Sequence, residues 1–97
     1  MWRMETLKTY LKALGSENDR EHFARSCGTS LGHIRNCLYD EKKRLNFETC
    51  ALIERATAGV VTCKELRPDI RWRRVKDAAW PHPRGRPLID VAYAAQV

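Results

Sequence analysis

No stretch of 18 or more apolar residues occurs in this chain, which excludes a membrane-spanning helix. The N-terminal MWRMETLKTYLKALG has charges spread through it and lacks the apolar centre of a secretory leader, so a cytosolic location is expected. Closely spaced cysteines are missing too. The four cysteines stand at 27, 37, 50 and 63 with no CxxC among them, and His22, His33 and His82 lie at no zinc-finger spacing from any of them. Four cysteines allow three pairings in a secreted chain, but nothing indicates secretion. Cys27 and Cys37 fall among apolar positions, where a thiol acts as a small hydrophobe. Free buried thiols, with no metal and no cofactor, are therefore expected. Internal repeats and low-complexity segments are also absent. At 97 residues the chain is too short for a multidomain enzyme with a deep cleft.

What the chain has is charge. It is 43% apolar and 31% charged, a globular balance, with 18 Lys and Arg against 12 acids for a net charge of +6. A small basic protein is drawn to polyanions: nucleic acid first, then anionic membrane, then acidic protein. All four prolines lie at or beyond Pro68, together with two of the three tryptophans and six of the 18 basic residues. Charge alone does not choose among these polyanions; the expected division is a helical domain over 1–70 and a basic extension over 71–97.

Helical punctuation runs through the first part. Leu7, Leu11 and Leu14, with Tyr10 beside them, recur at helical spacing up to Gly15. Ser16 suits an N-cap, and Glu17 and Asp19 suit the positive end of the next helix, which carries Phe23, Ala24 and Cys27 to Gly28. Thr29 or Ser30 caps a third helix through about Tyr39, with Leu31, Ile34, Cys37 and Leu38. DEKKRLN reads as a loop. Asn46 caps a fourth helix with Phe47, Cys50, Ile53 and Ala56, flanked by Leu52 and broken by Gly59. Thr62-Cys-Lys-Glu65 has the capping-box pattern for a short fifth helix, stopped by Pro68. Five such helices make an all-α fold in which a surface, rather than an enclosed pocket, carries function.

The segment Arg20–Tyr39 fits a helix-turn-helix. Ala24 is the small residue where the second helix crosses the first, Gly28 supplies the positive φ of the turn, and Ile34 anchors the second helix in the core. Phe23, Cys27 and Cys37 fill the other inward positions. The same spacing also fits any αα-hairpin. A longer string is more specific: residues 53–69, IERATAGVVTCKELRPD, resemble the closing segment of small phage Cro-like regulators and YdaS-type antitoxins. The resemblance covers roughly residues 5–72. It departs at Cys37-Leu38-Tyr39-Asp40, where Trp-Leu followed by Gly is more usual, and at Ala58, where Gly is common.

The resemblance implies a compact five-helix, lambda-repressor-like domain whose recognition helix, at about residues 30–39, enters the major groove. By position in the motif, Ser30, Leu31, Gly32 and Asn36 would face base edges: Asn36 pairing with adenine, Leu31 meeting a thymine methyl, and Gly32 allowing close approach. Arg35 would reach guanine or a phosphate. Arg20, Thr29 and His33 would lie near the backbone, with Lys42, Lys43 and Arg44 along the phosphates; a solvated charged loop is the plainer reading of those last three. No carboxylate partners His33 in the motif, so no catalytic triad is expected. The implied protein is a non-enzymatic homodimer that binds a double-stranded operator in a bacterial or phage-infected cell. The rival is an antitoxin or phage inhibitor that acts by binding a protein such as a toxin.

The extension invites three expectations. IRWRRVKDAAW suits a short amphipathic helix with Ile70, Val75 and Ala78 on one side. Pro83-Arg84-Gly85-Arg86-Pro87 resembles an AT-hook core, which would lay Arg84 and Arg86 in a minor groove, although a basic linker is the simpler reading. Residues 88–93 suit one strand, held away from the helices by the proline-rich segment and paired with a second subunit.

Overall fold

The computed structural model describes residues 4–40 and 42–89. Five helices come first: α1 (Glu5–Ala13), α2 (Glu17–Ser26), α3 (Leu31–Tyr39), α4 (Phe47–Ala56) and α5 (Cys63–Leu66). Two strands follow, β1 (Trp72–Val75) and β2 (Arg86–Ile89).

Local chemistry sets the helix starts. Ser16 Oγ accepts from the Asp19 amide at 3.1 Å, Ser30 Oγ from His33 at 3.1 Å, and Asn46 Oδ1 from Thr49 at 2.8 Å. Thr62 Oγ1 does the same for Glu65 at 3.4 Å. Each fills one of the backbone donors that a helix leaves open at its start. Between the two candidate caps of α3, Ser30 is the one used. The α1 end is closed from outside: Arg20 donates to the carbonyls of Leu11 and Leu14 at 2.7 and 2.9 Å.

One core joins the five helices. Leu7, Phe23, Ala24, Ile34, Leu45, Ile53 and Leu66 are among its buried members, and Trp72 of β1 packs against it. The four cysteines are free and buried in it, as expected. Burial pushes the Cys50 thiol up to about 12 and Cys63 higher still.

The extension departs from expectation. Residues 72–75 form a strand where a helix was expected, because Trp72 and Arg74 turn inward while Arg73 faces solvent, the period-two pattern of a sheet. Its partner is β2 of the same chain, antiparallel, with Trp72 opposite Ile89 and Val75 opposite Arg86. The expected strand therefore begins earlier, at Arg86, and is paired without a second subunit; its residues 90–93 lie outside those described. Nor is it held away from the helices, since β2 packs against α4.

A buried carboxylate joins the two parts. Glu54 of α4 has no solvent exposure. It accepts two bonds from Arg74 at 2.6 Å, one from the Trp80 indole at 2.7 Å and one from the Cys63 amide at 3.2 Å. Burial pushes its pKa up, but the bonds from Arg74, Trp80 and Cys63 outweigh that and hold it below its ordinary value.

Candidate nucleic-acid interface

Two helices and the turn between them organise the site. Gly28 has φ +73°, a conformation costly for any residue with a Cβ, and its amide donates to the Arg25 carbonyl at 3.0 Å. The chain then reverses into α3 with Ala24 and Ile34 fully buried at the crossing. Helix α3 is divided by its period: Leu31, Ile34, Cys37 and Leu38 face the core, while Gly32, His33, Arg35, Asn36 and Tyr39 are exposed.

The expected base-facing residues fare unequally. Asn36 and Gly32 lie on the exposed face, and a Cβ at Gly32 would meet open space, so the surface there is low and bare. Ser30 is exposed, with its hydroxyl engaged as the α3 cap. Leu31 does not meet the expectation of an exposed side chain. It is only 6% exposed and packs in the core, because with Ile34 and Leu38 it forms the inward i, i+3, i+7 row. Arg35 is exposed and bidentate to Glu17 of α2, with both bonds 2.7 Å. The Arg35 guanidinium holds the Glu17 carboxyl below its ordinary value.

Among the residues expected near phosphates, Lys42, Lys43 and Arg44 are exposed on the loop after α3. The amides of Lys42 and Lys43 fold back on Asp40 at 3.0 Å, and Arg67 donates to the Leu45 carbonyl at 2.8 Å, which fixes the far end of the loop. His33 is exposed, its Nε2 3.7 Å from Cys37 Sγ. Thr29 is half-buried. Arg20 is partly buried, and its bonds to Leu11 and Leu14 tie α1 to α2.

Arg84 and Arg86 are exposed, but they do not form an extended strip. Gly85 between them is buried with φ +95°, and its carbonyl accepts from Arg74 at 3.0 Å. Arg84 sits in a turn and Arg86 opens β2, so the AT-hook geometry is absent.

Three residues join this surface that the sequence reading passed over. Tyr39 is 74% exposed, three positions beyond Asn36 and on the same side of α3. The Lys8 ammonium lies 5.1 Å from its ring centroid, and Lys8 and Lys12 of α1 share a shallow groove with Arg35 and Tyr39. Helical spacing from Asn36 was the signal available for Tyr39; nothing local marked the lysines. Among the described residues no group of three or more potential ligands could hold a metal, and no helix is long and apolar enough to cross a membrane.

Comparison with known proteins relates the chain to a family. The Escherichia coli (strain K12) protein named "Putative transcriptional regulator YdaS" is 51% identical over 37 residues, which is 38% of this chain and 38% of that relative. The match thus spans little more than a third of the relative's length. No solved structure matches the chain. The profile of the family described as "Bacterial toxin YdaS" matches residues 8–75, from α1 through β1. The chain belongs to the bacterial toxin YdaS family.

Proposed function

We propose that the protein is a sequence-specific DNA-binding transcriptional regulator, a homodimeric repressor that occupies an inverted-repeat operator. In this reading α2 and α3 form a helix-turn-helix over a domain of residues 1–70, and α3 enters the major groove. Asn36 reads adenine, Ser30 and Arg35 contact neighbouring bases, and Gly32 lets the backbone approach. Arg35 exchanges Glu17 for the DNA, an inexpensive step for an exposed ion pair. Thr29, His33, Lys42, Lys43 and Arg44 contact the backbone. Leu31 and Arg20 act from within the fold instead, one in the core and one as the staple of α1. No catalysis is required.

The observation that carries the proposal is the division of α3. Its inward row is complete, leaving a polar face of Gly32, Arg35 and Asn36, and the three-cation loop follows directly. The relative named as a transcriptional regulator supports the same reading. Selection of bound duplexes from a random pool tests it: an inverted repeat with half-site centres about 34 Å apart is expected, and recovery of no common sequence would count against it.

A second reading is favoured by the family's description as a toxin. Here the chain acts mainly on a protein partner and binds DNA, if at all, to regulate itself. Growth arrest on expression, undiminished in an Asn36→Ala variant that has lost operator preference, would favour it.

A further inference from the structure

A second basic surface lies along strand β1. The sheet has two strands, so one edge of β1 has no strand beside it among the described residues. A groove of about 760 Å³ follows that edge. Residues 70–74 all line it, with residues of α5 and of the turn before β2 as the other wall. Side chains alternate between faces along a strand, so a groove touched in succession by Trp72, Arg73 and Arg74, and by Ile70 and Arg71 just before the strand, runs along its edge.

The lining is charged with one sign. Its cations are Lys64, Arg71, Arg73 and Arg84, with Trp72 and His82 among them in the lining, and no Asp or Glu of the described residues lines it. Arg74 also reaches this wall but is committed to Glu54. The wall is firmly held: the Trp72 indole donates to the Arg67 carbonyl at 3.0 Å and packs against the core. Lys64, Arg73 and Arg84 are exposed, so neutralising them leaves the packing untouched. An open, polar, cationic groove suits neither an apolar small molecule nor a hydrophobic strand. It suits a string of phosphates.

We infer that this groove binds the phosphodiester backbone of duplex DNA, as a sequence-independent contact separate from the α3 face. The inference rests on the DNA-binding reading above but uses a different set of side chains.

Fluorescence anisotropy of the full chain with a labelled duplex of arbitrary sequence, titrated over salt, tests it. The variant Lys64→Ala/Arg73→Ala/Arg84→Ala is expected to bind every duplex more weakly, on the order of tenfold or more at low salt. Its log–log salt slope should be shallower by about 2–3 per bound chain, since each phosphate contact contributes about 0.9. Lys64→Gln/Arg84→Gln, which leaves the sheet unaltered, should lose about 2 of slope. Asn36→Ala should keep the wild-type slope. Wild-type affinity and slope in both groove variants would overturn the inference; the α3 reading survives that result if Asn36→Ala still loses operator preference. No duplex binding by the wild type would overturn both. Groove variants that bind duplex normally but lose a glutamate-rich peptide would overturn it in favour of an acidic protein segment.

Discussion

Replacing Arg74 by Met should do more damage at neutral pH than at acid pH, and by far more than removing an exposed surface charge does. In the native protein Glu54 is fully buried, and Arg74 supplies two of its four hydrogen bonds. Removing the cation leaves a buried carboxylate with only the Trp80 indole and the Cys63 amide. Breaking a buried pair from one side costs about 3–5 kcal/mol, a large part of the roughly 5–15 kcal/mol that holds a small domain folded. At about 4–8 °C per kcal/mol, the midpoint should fall by at least about 12 °C at pH 7. The pH dependence follows from the sign of the shift. In the wild type the Glu54 pKa is below its ordinary value, so its contribution is present above that value and lost as pH falls through the lowered one. Without Arg74, burial dominates and the folded pKa moves above the ordinary value. The folded state then prefers the protonated acid, and stability is lost as pH rises through the raised pKa. Adding Glu54→Gln to Arg74→Met should therefore recover stability at pH 7. Urea denaturation followed by circular dichroism, at pH 4 and pH 7, measures all of this. A loss below about 1 kcal/mol in Arg74→Met, the same at both pH values and unimproved in the double variant, would refute the argument.

Three further outcomes are expected. Gly28→Ala places a Cβ 3.4 Å from Cδ1 of the partly exposed Leu52 at φ +73°, an ordinary contact, so about 1–2 kcal/mol of left-handed strain is the expected loss. At Gly85 a Cβ would collide with the Val75 carbonyl, so Gly85→Ala should cost more and disturb the fluorescence of Trp72 and Trp80; the opposite order of stability would contradict the ribbon geometry. The four thiols are buried, with Cys50 pushed up to about 12, and a chromogenic disulfide reagent at pH 8 should find them inert until denaturant is added. Rapid reaction in the native protein would place at least one thiol on the surface.

Helix starts were legible because they depend on neighbours three residues away. Ser16, Ser30, Asn46 and Thr62 announce themselves by residue type, and Gly28 by the turn it must make. The ribbon was not legible, because Trp72-Arg-Arg-Val75 suits a helix or a strand until Glu54 is known to hold Arg74 across 20 residues. Nothing in the local pattern of α4 marks Glu54 as buried rather than solvated. Leu31 is the opposite case: its i, i+3, i+7 relation to Ile34 and Leu38 places it inward, and that period prevails over its position within the helix-turn-helix motif. The basic edge groove was hidden for the same reason as the ribbon, since Lys64, Arg73 and Arg84 meet only once β1 is a strand.

The central claim is that the exposed face of α3 reads bases. Its most direct measurement is the ratio of affinities for the selected operator and a scrambled duplex, in wild type and in Asn36→Ala, at one fixed salt concentration. Removing a bidentate contact to adenine should lower that ratio by about 1–3 kcal/mol for each half-site read, with binding to the scrambled duplex unchanged. An Asn36→Ala protein that keeps the full ratio would contradict the assignment of α3 as the reading helix.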